Sequence, residues 1–454
     1  MKVVPVQLRK VWDDLRSSLW FRPAIWVIVL GSLAVALTLA DQQLAESGSL
    51  FDWPWFLVGG AEGARTMLGA IASAMLTVTS LTFSIVIVAV VQTANAYSPS
   101  VLRQYLGDTA NQHVLGIMIG TFLFSLLVLR GVRSTDDQEF VPTLAINTAV
   151  LLSLLSVGAF IYFINHASHS IKVDNIIQMV RSRTEDLMAN MFPMTLGRPW
   201  PEETSPDLPS ALAATIHAHE SGRLQFYELE ELMAAAAGAN AIVRLERGVG
   251  DYVLQGTPLF TVWPAGALDE ALARALRQAT VLGRERSMVQ DVLFGLQQLS
   301  DIALRALSPG INNPSTAVNS INALAALLIH FLQYTPISPY RCDEAGKLRI
   351  IAPTLTFAQM LDHAYGQISR YGAGDTATML RLLEICGELG YVTGDPGERE
   401  ALWQWVQALI FLAGDHVELP DDRQKINERL ERVAATLQKD AESLHLTVYN
   451  QEDA

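Results

Sequence analysis

Up to about residue 170 the chain alternates long apolar runs with short polar breaks, then turns to mixed, charged sequence. Four runs approach or exceed the length needed to cross about 30 Å of hydrocarbon: residues 23–40, 67–91, 113–129 and 141–164. Trp20, Phe21 and Trp26 stand near the start of the first as interfacial anchors. None of the four cores contains Lys, Arg, Asp or Glu, so each avoids the roughly 2.5–3.5 kcal/mol that such a residue costs at mid-bilayer. The run at 67–91 is not uniformly apolar, because Ser73, Thr77, Ser80 and Ser84 recur at steps of four, three and four. On an α-helix those steps put all four hydroxyls on one face.

Such a face has two readings. Small residues let helices approach closely, and Gly69-x-x-x-Ser73 and Ala70-x-x-x-Ala74 support helix packing. Alternatively the hydroxyls line a pathway, giving weak, repeated contacts to a moving solute. If the helix continues, Asn95 falls back on the same face, at the inner mouth of a pathway. Both readings need partner helices, and four spans are few for transport by one chain, so a homo-oligomer is expected. Arg22, Arg65, Arg103 and Arg130 flank the spans, which would make an uncharged hydroxyl pathway weakly anion-favouring.

Basic residues precede the first span (Lys2, Arg9, Lys10, Arg16, Arg22) and follow the fourth (Lys172, Arg181, Arg183), whereas the loop at 41–65 holds Asp41, Glu46, Asp52 and Glu62. Positive-inside counting therefore places both termini in the cytoplasm. Arg130 and Arg133 oppose it mildly. A signal-peptide reading of the first span, cut near Thr38-Leu39-Ala40, fits less well, because a charged lead of 22 residues is long for that role. Between the second and third spans, Ser98-Pro99 reads as the start of a short interfacial helix, and Thr109 or Asn111 as the cap of the next span. His166 and His169, one turn apart at the end of the fourth span, read as polar anchors rather than metal ligands.

Residues 1–170 thus form a membrane domain. An amphipathic exit helix and a Pro-rich linker occupy 171–209, with Pro193, Pro199, Pro201, Pro206 and Pro209. Residues 210–265 read as a small α+β subdomain: strand 222–227, helix 228–237, strand 241–245, a turn at Gly248-Val249-Gly250-Asp251, then strand 252–262. That turn is similar to the hairpin of lipoyl or biotin carriers, but no lysine lies there, so no covalent cofactor is expected. Residues 266–454 read as mainly helical. Helices are expected at 288–307, from about 313, and at 357–369, 376–389, 398–411 and 421–445, with a hairpin near 335–355. The fold class is a four-helix membrane protein followed by a cytoplasmic α+β, mainly helical domain.

Composition sharpens this picture. Of 454 residues 50% are hydrophobic and 17% charged, and the mean hydropathy is +0.25. The region after residue 170 has 23 basic against 36 acidic residues and so carries −13 of the −14 total. It should be repelled by phosphate backbones and anionic lipid, and nucleic-acid binding is not expected. Cys342 and Cys386 are far apart and suit a reducing compartment. No HExxH, phosphate-binding loop, dinucleotide fingerprint or GxSxG elbow occurs. Neither an enzyme, nor a cofactor, nor a bound metal is expected. Asp291 and Asp301 sit among Arg284, Arg286 and Arg305, which suggests a salt-bridge network. His217 and His219, two apart on a helix, point away from each other. Arg305 with Asn312, Asn313 and Ser315, at a helix start, forms a candidate anion or ligand site in which Asn313 is the cap.

Two blocks of residues resemble a known bacterial family. Thr82-Phe83-Ser84 through Tyr97-Ser98-Pro99-Ser100-Val101-Leu102 to Gly120-Thr121-Phe122 is one. Gln290-Asp291, Phe294-Gly295 and Asp301-Ile302-Ala303 to Ala306-Leu307-Ser308-Pro309-Gly310-Ile311-Asn312 is the other. Both resemble the predicted membrane proteins called domain of unknown function 2254. That pattern implies Asn-Asp-Pro where this chain has Asn312-Asn313-Pro314, so no carboxylate chemistry is expected at the turn. The resemblance implies a bacterial membrane location and no activity. The expected protein is therefore an inner-membrane homo-oligomer in contact with lipid, conducting a solute under control of its cytoplasmic region. The alternative is a membrane-anchored sensor or scaffold whose cytoplasmic domain binds a protein or small ligand.

Overall fold

The computed structural model describes residues 18, 20–46, 60–96, 108–135, 138–170, 172–189, 193–194, 196–201, 206, 212–334 and 338–448. Two compact units divide near residue 175.

The first unit is a bundle of four helices: α1 (Phe21–Glu46), α2 (Ala61–Ala96), α3 (Thr109–Gly131) and α4 (Thr143–Ser170). All four are long and apolar enough to cross a membrane. Helices α1 to α3 run past both expected limits and α4 past its C-terminal one, so Asp41, read from sequence as a loop residue, lies inside α1. A short hairpin, β1 (Arg133–Thr135) with β2 (Gln138–Phe140), joins α3 to α4.

Helix α3 touches α1, α2 and α4, and small residues explain how closely. A Cβ on Gly116 would lie 2.6 Å from Trp26 Cδ1, and one on Gly120 2.6 Å from Leu30 Cδ1. The paired glycines therefore let α1 lie almost on the α3 backbone. Around α3 the interior is filled by Leu68, Met118, Phe124, Val128, Ile146 and Phe163. Several polar groups inside are bonded within the bundle. Thr121 Oγ1 donates to Ile117 O and lies 3.1 Å from Ser156 Oγ, and Ser125 Oγ donates to Thr121 O. Asp108, not Thr109 or Asn111, caps α3, its carboxylate accepting from Ala110 N. The Ser98–Pro99 helix start lies outside the described residues.

Asp41 has a further role. It is 7% exposed, and its two oxygens accept from Leu144 N and Ala145 N, each at 3.1 Å. Those N–H groups belong to the first turn of α4 and have no partner within the helix. One membrane helix thus caps another, where bulk water is not there to do so.

The second unit opens with α5 (Val173–Met188), separated from α4 by two residues. A six-stranded sheet has the order β3 (Arg198–Pro199), β10 (Tyr340–Cys342), β11 (Leu348–Ile351), β6 (Ile242–Leu245), β8 (Pro258–Trp263), β4 (Ala214–His217). Only β11 with β6 is parallel. A second sheet has the order β7 (Tyr252–Val253), β5 (Gly222–Tyr227), β9 (Thr280–Gly283). Helices α6 (Leu229–Gly238) and α7 (Glu270–Gln278) share a core with these strands, including Leu224, Tyr227, Leu232, Val243, Phe260, Leu276 and Ile350.

Three expectations change here. The α+β layer does not close at residue 265, because β9, β10 and β11 come from later sequence. The Pro-rich linker is partly tied down: β3 pairs with β10, and the buried Arg341 guanidinium donates to the carbonyls of Met194, Leu196 and Gly197. His217 ends strand β4 rather than lying on a helix.

The remaining helices are α8 (Val292–Ala306), α9 (Pro314–Leu332), α10 (Phe357–Tyr371), α11 (Thr376–Val392), α12 (Pro396–His416) and α13 (Pro420–Leu437). Each of α8 to α12 starts at a side-chain cap: Asp291, Asn313, Thr356, Asp375 and Asp395. Helix α9 is apolar enough to be a fifth candidate span, yet it packs against α8, α10 and α11 with Ile321, Leu324, Leu327 and Leu328 buried.

Both cysteines are free and buried, and burial pushes the Cys386 thiol up to about 12. Neither thiol should react with Ellman's reagent at pH 8 in the native protein, and both should react after unfolding. Replacing Asp41 by Ala should lower stability by about 2 kcal/mol, read as a reduced thermal midpoint in detergent, whereas Asp41→Asn should retain most of it.

Candidate functional site

The predicted hydroxyl face is on the outside of the bundle. Ser73, Thr77, Ser80 and Ser84 are all exposed, and none packs into the interior of its own chain. The buried hydroxyls are others: Thr82, Thr121, Ser125 and Ser156. Among the described residues, no side chain of the bundle covers these four. Gly63, Thr66, Ala70 and Ala74 are also exposed on α2. The outer surfaces of α1 and α4 present Ile25, Ile28, Val29, Val35, Leu151, Leu154, Leu155 and Ile161, and α2 itself also exposes Leu76, Leu81, Phe83, Ile87, Val88 and Val91 around and beyond the stripe. Bulky aliphatics suit acyl chains, while small side chains suit close approach by another helix. Thr77 Oγ1 donates to Ser73 O and Ser84 Oγ to Ser80 O, each at 2.9 Å. The outward surface of those two hydroxyls is thus the oxygen lone pair. Asn95 lies in the last turn of α2, and its side chain is outside the described residues. So is Arg103.

At the start of α3 a polar cluster gathers that the sequence reading treated as separate residues. Asp108 Oδ2 is 2.6 Å from His166 Nε2, and Tyr162 stacks on that imidazole with centroids 5.6 Å apart. Trp26 Nε1 donates to His113 Nδ1 at 2.9 Å, and Arg22 is 3.4 Å from its Nε2. Asn111 is 1% exposed, with neither amide atom bonded. His166 therefore anchors α4 to the α3 cap, and no group of three or more metal-ligating side chains occurs among the described residues.

In the second unit the acidic–basic network resolves to a buried clamp. Asp291 is 2% exposed and takes two bonds from Arg286, Nε to Oδ2 and Nη2 to Oδ1, both 2.7 Å. Its Oδ1 also caps Phe294 N at 3.0 Å. Gly250, at φ +93°, fits against this pair, since a Cβ there would lie 2.5 Å from Asp291 Oδ2. The Gly248–Asp251 turn is thereby docked on the entrance of α8. Gln290 fastens the same entrance, its amide exchanging both hydrogen bonds with the Tyr227 backbone. One turn later Gly295 meets Thr184 of α5, whose side chain occupies the space a Cβ would need.

The candidate anion site is not assembled as expected. Asn313 Oδ1 is spent on the α9 cap, accepting from Thr316 N. Asn312 is left-handed at φ +47°, and Asn312 and Ser315 are exposed. The Arg305 Nε is buried without a hydrogen-bond partner among the described residues.

The family of predicted membrane proteins named domain of unknown function 2254 matches residues 16–388. This chain belongs to that family. It is 32% identical over 409 residues to the proteins printed as Uncharacterized protein Rv1290c of Mycobacterium tuberculosis and Uncharacterized protein Mb1321c of Mycobacterium bovis, covering 88% of this chain and 77% of each relative. No solved structure matches. Both residue blocks that carried the resemblance lie inside the matched range. The second contains the Asp291 cap and the Gly295 approach, so its residues have concrete packing duties in this chain.

Asp291→Ala strands the Arg286 guanidinium and should cost about 3–5 kcal/mol, measured by denaturant unfolding in detergent. Gly295→Ala should cost about 1–3 kcal/mol, with part of the loss restored when Thr184→Ala is added.

Proposed function

We propose that this member of the family is a homo-oligomeric passive channel of the bacterial cytoplasmic membrane, with both termini inside and the second unit as its gate. One observation carries the reading: the outward seam of small and hydroxyl side chains on α2, beside aliphatic faces on α1 and α4. The bundle interior is filled with side chains, so a pathway has to form between copies. Seams from several chains, facing a common axis, would give a hydroxyl-lined passage. The donor hydrogens of Thr77 and Ser84 are turned back to their own helix. Such a wall offers acceptors, which favours neutral solutes or cations and revises the weak anion preference expected from the flanking arginines. Of those, Arg22 lies against His113, and Arg65 donates to Val132 O.

The sensor reading is favoured by a different feature, a partly open cavity beside the α8 entrance. Under it the seams only assemble the chains.

Two measurements test the proposal. Mass in detergent should give an oligomer; a monomer overturns both seam-based readings. In liposomes, wild type should pass potassium or glycerol faster than empty vesicles, and Thr77→Leu with Ser80→Leu should abolish the flux while the oligomer persists. Absence of flux from wild type for either solute at any applied voltage rejects the channel.

A further inference from the structure

Beside the Asp291 clamp lies a cavity of about 250 Å³, wholly within the second unit, between the Gly248–Asp251 turn, the start of α8 and the start of α10. Its size suits one small organic molecule. Val249, Leu293 and Leu355 supply apolar wall, and Asp251, Thr354, Gln359 and His363 supply polar groups.

The bonding state of those polar groups defines what fits. Asp291 also lines the cavity, but its charge is matched by Arg286 and its oxygens cap α8. Gln290 is consumed by the Tyr227 backbone. Asp251 spends Oδ2 on Gly248 N, leaving Oδ1 open, and no ion pair involves this carboxylate among the described residues. His363 Nδ1 faces Gln359 O at 3.0 Å. A carbonyl only accepts, so Nδ1 carries the proton and Nε2 of the neutral ring is a free acceptor. The Thr354 hydroxyl has no hydrogen bond among the described residues. Three open acceptors, one of them a carboxylate without an ion-pair partner among the described residues, face two open donor groups, the Thr354 hydroxyl and the Gln359 amide nitrogen.

We propose that this cavity binds a short aliphatic primary amine as its ammonium ion. The three N–H donors of the head would meet Asp251 Oδ1, His363 Nε2 and Thr354 Oγ1, with the alkyl body against Val249, Leu293 and Leu355. An ammonium has three donors and no acceptor, which matches this surplus, whereas a carboxylate or phosphate would face Asp251 unpaired. The −13 charge of the region after residue 170 steers cations in the same direction. The inference concerns the second unit alone and stands whether the membrane helices conduct or only assemble.

Saturation-transfer NMR on the full chain in neutral detergent tests it, with n-butylamine, butyrate and n-butanol present together at pH 7.5. Saturation should pass selectively to n-butylamine. Asp251→Asn keeps an oxygen for Gly248 N but removes the charge, and should weaken amine binding about tenfold, a loss of roughly 1.4 kcal/mol. His363→Ala, at an exposed helix position, should also weaken it, and Asp415→Asn, an exposed carboxylate on α12, should not. Unfolding midpoints measured alongside identify any variant whose loss reflects misfolding. Equal transfer to all three probes, preference for butyrate, no transfer at all, or undiminished amine binding in both folded Asp251→Asn and folded His363→Ala would each overturn the proposal.

Discussion

Polar groups in hydrocarbon have to find partners inside the protein, and the membrane unit is organised by that constraint. Buried Thr and Ser side chains donate to the carbonyl one turn back. The first turn of α4, whose N–H groups have no partner within the helix, takes its acceptors from Asp41 on another helix. The same economy applies on the outside of α2, where Thr77 and Ser84 are satisfied locally. These hydroxyls need no water, so their value lies in being small and in presenting lone pairs. That is why the seam suits another protein surface or a weakly interacting solute, set among the large exposed hydrophobics that α1, α4 and the rest of α2 present.

The second unit solves a different problem, joining a sheet layer to a helical layer without leaving charge stranded. Asp291 does this with one carboxylate, bonded to Arg286 and capping α8, while glycine at 250 lets the turn close over the pair. A buried pair of this kind contributes little net stability, yet losing one partner is expensive. The clamp therefore fixes geometry more than it adds stability, and it leaves a cavity at its edge. Gly295 brings the same helix against Thr184 of α5.

Much of this architecture was legible in the sequence because its signals are local. Apolar runs of membrane length marked α1 to α4, and hydroxyl spacing marked one face of α2. The caps at Asn313 and the turn at Gly248–Asp251 were readable for the same reason, since capping and positive φ depend on immediate neighbours. The family resemblance rested on residue blocks, and the match across 16–388 agrees with it.

Which way a face points was not legible. Helical periodicity says that Ser73, Thr77, Ser80 and Ser84 lie together, but only the packing of α2 on α3 and α4 turns that face outward. Asp41 looked like a loop acid because its partners are the backbone of α4, more than 100 residues away. The cavity beside α8 was invisible for a related reason. Asp251, Thr354 and His363 belong to three segments brought together by a sheet that pairs β11 with β6. Sequence alone determined the membrane helices, the Asn313 cap and the membrane location, all set by neighbours within a turn or two. Tertiary structure decided what each face meets and which distant polar groups share a space, because those depend on packing between segments that no local pattern encodes.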